Sequence, residues 1–126
     1  GLECLSRGSA FVTFIENYNN VLPVLKKNIL NLGYQDNSLI IEKNIINDLN
    51  FKIIKKKFDF IFLDPPYKEK KLSVMLENIF KSNLLKSSGI IIIHRHKKEV
   101  DKFPAKFKII EEKFYGISKI IFGSYI

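Results

Sequence analysis

Short apolar runs alternate with amphipathic stretches along the whole chain, and that alternation limits the available folds more than any other feature. Residues 11–15, Phe-Val-Thr-Phe-Ile, are β-branched and aromatic and read as a strand. Residues 18–32 then place Val21, Leu22, Leu25, Ile29 and Leu32 at helical spacing, with Pro23 in the first turns and Gly33 as a stop. Strands are predicted again over 39–42, 58–63 and 90–93, the last two nearly continuous in apolar residues, as expected when both faces are covered. Between them, 45–54 reads as a short helix with an irregular start. Residues 72–85 read as a second good helix, with Leu72, Met75, Leu76, Ile79 and Phe80 on one side. The tail pairs 107–112 with 119–122 around Tyr115-Gly116 and has no helix between them. Such a chain is expected to be an α/β protein with a mostly parallel sheet and an antiparallel C-terminal strand.

The 126 residues suffice for one core and one domain. No apolar run is long enough to cross a bilayer, and no secretory signal opens the chain. Cys4 is the only cysteine, which excludes an internal disulfide and a multi-cysteine zinc site and fits a reducing cytoplasm. The formal charge of +8 has two readings: a polyanionic partner, or solvated lysines in a composition crowded with Ile, Lys and Asn. Charge alone does not choose between them.

Asp64-Pro65-Pro66-Tyr67 follows directly on the strand that ends at Leu63. Open α/β sheets bind ligands just beyond the carboxyl ends of their strands, so position alone puts this tetrapeptide in a cleft. The residue types suit one task. An exocyclic amine on a base is a poor nucleophile, because its lone pair is delocalised into the ring. It needs acceptors for its two hydrogens, placed so that the lone pair is aimed at an activated methyl. The Asp64 carboxylate accepts one hydrogen, and a carbonyl of the turn, that of Pro65 foremost, accepts the other. The two prolines remove N–H donors and narrow φ, and a residue before proline is held extended. Tyr67 offers a flat face for a base taken out of its stack. The competing reading is a tight prolyl turn with a packing aromatic.

At this motif the chain resembles the amino-methyltransferases whose signature is Asp/Asn-Pro-Pro-aromatic. Gly1-Leu2-Glu3-Cys4-Leu5-Ser6-Arg7-Gly8, and Tyr115-Gly116-Ile117-Ser118-Lys119 near the end, narrow the resemblance to the bacterial guanine-N2 methyltransferases of 16S ribosomal RNA. That resemblance implies a Rossmann-like methyltransferase fold, S-adenosylmethionine as cofactor, and ribosomal RNA or the small ribosomal subunit as partner, with no metal and no membrane. Gly1 would be the last glycine of the cofactor loop. Glu16 would accept from the ribose hydroxyls with Asn17 beside it, and Asn47 and Asp48 would lie near the adenine. Asp64 and Tyr67 would hold the guanine. Glu16 also reads as a solvated strand-end carboxylate, and Asp48 as a helix N-cap.

The resemblance also implies a strand and most of a glycine-rich loop before Gly1. That strand would lie between the strands of 11–15 and 58–63, where unpaired backbone groups would otherwise be buried at a cost. The chain is therefore expected to be a portion of a longer polypeptide. The alternatives are a strand supplied by another chain, through self-association, or a decayed protein. Where the family has an acidic residue ending the fourth strand, this chain has His94-Arg95-His96. His94 and His96 are expected on one side, as a basic, solvated strand end rather than a metal or phosphate site. Asp59 is expected to be exposed at the sheet margin. The function that follows is methyl transfer to the N2 amine of a guanine in small-subunit ribosomal RNA. Its rivals are an adenine-N6 DNA methyltransferase, a non-catalytic RNA-binding remnant, and an α/β domain with a prolyl turn and no ligand.

Overall fold

The computed structural model describes residues 1–44, 51, 54–65 and 71–126. They fall into two compact units, Gly1–Asp48 and Leu49–Ile126. The helix expected over 45–54 lies almost wholly outside the described residues.

The first unit opens with a short helix, α1 (Leu2–Ser6), an element not among the predicted ones. Leu5 buries itself from it, and Gly8, at φ 99°, takes the chain out through a conformation that other residues resist. Strand β1 (Val12–Glu16) follows, one residue later than expected, so Glu16 belongs to the strand rather than following it. Helix α2 (Leu22–Leu32) starts later than position 18, because Tyr18 first closes a turn whose carbonyl accepts from the N–H groups of both Val21 and Leu22. Pro23 occupies the first turn, where a missing donor is harmless. Gly33, at φ 75°, ends the helix. Only Leu22 and Ile29 of the predicted stripe are buried; Val21 and Leu32 are exposed. After a 3-10 turn at Gln35–Asn37, β2 (Ser38–Glu42) pairs parallel to β1, from Val12 opposite Ser38 to Glu16 opposite Glu42. A parallel pair needs a crossover, and α2 is that crossover.

The second unit holds β3 (Phe58–Leu63), α3 (Leu72–Lys81), β4 (Leu85–His96), β5 (Phe107–Tyr115) and β6 (Ser118–Tyr125). Its sheet has the order β3-β4-β6-β5. β3 and β4 are parallel across the α3 crossover, while β6 runs antiparallel to both β4 and β5. The edge is thus antiparallel as expected, although antiparallel ladders make up as much of the described pairing as parallel ones. The helix expected to reach Leu85 stops at Lys81, because Asn83 turns the chain at φ 54°. The strand expected over 90–93 extends from Leu85 to His96; the isoleucines mark only its buried middle.

One face of this sheet is the core. Leu72, Met75, Leu76 and Ile79 of α3 are at most 2% exposed, and Ile91, Ile93 and Ile121 are fully buried with them. Tyr125 closes the far end, its hydroxyl donating to the Leu76 carbonyl. Burial pushes the Tyr125 phenol well above its ordinary value, so the donor is retained. The other face departs from expectation. Phe60 and Phe62 of β3 are each 59% exposed, so this strand is covered on one face only among the described residues.

The core face also buries a charge. Arg95 has no exposed surface, and its fork donates from Nε to Asp101 Oδ2 at 3.0 Å and from Nη2 to Asp101 Oδ1 at 2.9 Å. Glu99 stands 3.8 Å from the same guanidinium. Removing one partner of a buried pair leaves an uncompensated charge, which is the expensive case. Asp101→Ala is therefore expected to lower stability in urea by about 3 kcal/mol, the low end of the usual range because Glu99 remains. The double variant Arg95→Met/Asp101→Leu should recover most of that loss.

Candidate active site

Asp64 lies one residue beyond β3, at its carboxyl end, and its side chain is 75% exposed. It is neither buried in the core nor turned toward the strands' amino ends. Pro65 beside it is buried, which fixes one side of the corner while the carboxylate faces solvent. Pro66 and Tyr67 lie outside the described residues.

The register explains what meets Asp64. Leu63 is opposite Ile93, so the next residues, Asp64 and His94, are neighbours on the face that carries Phe60, Phe62 and Ile92. His94 Nδ1 stands 3.0 Å from Asp64 Oδ1. Its Nε2 stands 2.9 Å from the Ser118 hydroxyl, presented from the adjoining strand β6. Asp64 Oδ2 has no partner among the described residues.

The strand end is therefore not the basic, solvated tail expected of it. His94 is paired and about one-third exposed, and Arg95 points into the core toward Asp101. His94 and His96 do share a face, but His96 Nδ1 accepts from the Lys98 N–H. Among the described residues no cluster of His, Cys, Asp or Glu could hold a metal ion, and no helix is long and apolar enough to cross a membrane. Asp59 is exposed at the sheet margin, as expected, and pairs with Lys86 at 3.0 Å.

In the first unit, Glu16 closes the carboxyl end of β1. Its Oε1 accepts from the N–H groups of Asn17 and Tyr18, each at 3.1 Å, leaving Oε2 without a partner among the described residues. The solvated reading of Glu16 is too loose: half of its carboxylate is tied into the turn that carries Asn17. Gly1 packs so closely on the Phe14 ring that a Cβ there would overlap it. An acceptor fixed at a strand end and a glycine that admits no side chain suit a nucleoside cofactor. Asn47 and Asp48 lie outside the described residues.

A cavity of about 310 Å³ lined by Ile79, Phe80, Leu85, Lys86 and Tyr125 opens at the other end of the second sheet. It has no carboxylate in its wall, and Lys86 is already paired with Asp59. It is no seat for amine chemistry.

The link between Asp64 and His94 is not among the sequence-based expectations. Two signals bore on it: the apolar run of β4 ends directly before His94, and Asp64 directly follows the run of β3. Pairing the ends of those parallel runs would have brought the two together. Ser118 was visible only as part of the closing turn.

Parallel crossovers, the order β3-β4-β6-β5 and the antiparallel edge define a Rossmann-like α/β fold of the methyltransferase class. The family model described as "Conserved hypothetical protein 95" matches residues 1–124, and the chain belongs to that family, which includes the small-subunit ribosomal RNA methyltransferase D proteins. The chain is similar to Ribosomal RNA small subunit methyltransferase D of Buchnera aphidicola, with 34% identity over 116 residues, 90% of this chain and 58% of that protein. The protein of the same name from Haemophilus influenzae is 31% identical, over 93% of this chain and 61% of its own length. The chain thus spans about three fifths of these curated relatives. The crystal structure of HI0767 from Haemophilus influenzae superposes with a TM-score of 0.84 at 27% identity, covering 98% of this chain and 77% of that one.

Because its carboxylate is exposed and its one described partner is a partly exposed imidazole, Asp64 contributes little to folding. Asp64→Ala is expected to change unfolding free energy by less than about 1 kcal/mol in urea titrations. A larger loss would mean that the corner serves the fold rather than a ligand.

Proposed function

We propose that this protein transfers a methyl group from S-adenosylmethionine to the exocyclic N2 amine of a guanine in small-subunit ribosomal RNA. The observation that carries the reading is Asp64: a carboxylate at the carboxyl end of β3, exposed, with one oxygen held and the other available. The names of the curated relatives support a ribosomal RNA substrate.

The residues present fit the cofactor. Glu16 would accept from the ribose hydroxyls through Oε2, and Gly1 would let the chain approach closely. S-adenosylmethionine, when bound, provides a methyl on a positively charged sulfur, which is electrophilic without any metal. The chain's own task is to orient and to accept. Asp64 would take one N–H of the target amine, and the Pro65 carbonyl the other, which frees the nitrogen lone pair and fixes its direction. Tyr67 would hold the base plane. Fixed acceptors of this kind need no reorganisation during reaction, and they act through geometry. The proton can leave the nitrogen after attack, so no base with a displaced pKa is required. The excess of lysine and arginine suits a polyanionic substrate.

The test uses the full-length gene product with small ribosomal subunits and labelled S-adenosylmethionine. Asp64→Ala should lower single-turnover methylation by about 10²–10³-fold, the usual cost of one fixed transition-state partner. Near-normal turnover in that variant would remove the mechanism. Glu16→Ala should weaken S-adenosylmethionine binding by about tenfold in calorimetry, the equivalent of one lost charge-assisted hydrogen bond. Unchanged affinity would take Glu16 out of the cofactor site.

A further inference from the structure

We infer that His94 is a positioning residue for Asp64: its Nδ1–H holds Asp64 Oδ1 while Ser118 fixes the ring from behind, leaving Oδ2 for the substrate amine. The inference rests on the proposed role of Asp64 and adds to it the element that aims the carboxylate.

Three observations carry it. The first is the register of β3 and β4, which makes Asp64 and His94 neighbours. Asp64 sits past the end of the ladder and is largely exposed, so sheet pairing alone does not set its χ angles. The second is that both ring nitrogens are engaged, Nδ1 at 3.0 Å from Asp64 Oδ1 and Nε2 at 2.9 Å from Ser118 Oγ. A carboxylate oxygen only accepts, so Nδ1 carries the hydrogen; in the neutral ring Nε2 then accepts from the Ser118 hydroxyl. Both contacts are satisfied without any charge on the ring. The third is where Ser118 comes from. It opens β6 opposite His96, on the same face as His94 and diagonal to it. Diagonal neighbours on one sheet face lie within reach of an imidazole. Three strands thus contribute to one row, Ser118–His94–Asp64, whose last member points to solvent.

A residue that merely filled space here could be replaced by any side chain of similar size. A positioning residue needs a donor at the Nδ1 location. Asn places its Nδ2 close to that location and cannot reach Ser118, whereas Ala provides neither contact. Displacing a reacting group by an ångström can lower rate by about 10²-fold.

The experiment compares wild type, His94→Ala, His94→Asn, Ser118→Ala and Asp64→Ala in the full-length gene product, with small ribosomal subunits and S-adenosylmethionine. We expect His94→Ala to lower kcat by about 10²-fold with little change in KM for the subunit. His94→Asn should recover to within about tenfold of wild type, one hydrogen bond being restored. Ser118→Ala should fall between wild type and His94→Ala. Thermal midpoints of the His94 variants should agree with each other, which separates aiming from folding. Nitrogen-15 NMR of the wild-type ring should show the Nδ1–H tautomer, and Asp64→Ala should abolish that preference. An Nε2–H ring, an unchanged kcat in His94→Ala, or His94→Asn no better than His94→Ala overturns the role of His94. If Asp64→Ala itself keeps its turnover, the proposed function fails, whatever the His94 variants do.

Discussion

The parallel alignment of β3 with β4 is the constraint on which the candidate site depends. With Leu63, the last residue of β3, opposite Ile93, the first residue past β3 meets His94, while β4 continues two residues further to His96. Shifting this register by one residue would reverse which side chains face the core. Ile91, Ile93 and Ile121 oppose such a shift, because each is fully buried on the α3 face and would be exchanged for its half-exposed neighbour. The hydrophobic core therefore fixes the position of a polar corner that it does not itself contain.

The two faces of that sheet divide the work. Toward α3 lie the isoleucines and the buried Arg95–Asp101 pair, which hold the strand end closed through a bidentate contact. Away from it lie Asp64, His94 and Ser118, all at least partly accessible. Alternation along β4 separates the residues into these roles one by one: Ile93 to the core, His94 to the corner, Arg95 to the core. The same periodicity that folds the strand thus decides which of three consecutive side chains is available to a ligand.

Much of this was legible in the sequence. The strand of β3 was read with its true ends, since Phe58 and Leu63 bound a dense apolar run. The end of α2 was marked by Gly33, whose left-handed conformation only glycine adopts freely. Elements ending on less specific residues were misjudged. α3 stops at an Asn in the left-handed region, a weaker signal than glycine, and β4 carries the polar segment Lys86-Ser87-Ser88, which no apolar pattern reveals. Asp64 and Glu16 stand out as candidates because each marks the carboxyl end of an apolar run, Asp64 just past β3 and Glu16 closing β1. The role of His94 could not be read from its own neighbours, because it arises from a residue thirty positions away, brought close by strand pairing alone.

The proposed task of the Asp64 corner is to present acceptors to a guanine amine. The most direct measurement is mass spectrometry of the nucleosides released from small-subunit ribosomal RNA after incubation with the full-length protein and labelled S-adenosylmethionine. Label is expected in N2-methylguanosine, the product of that proposal. Label confined to N6-methyladenosine, or to a ribose or ring-carbon position, would contradict it.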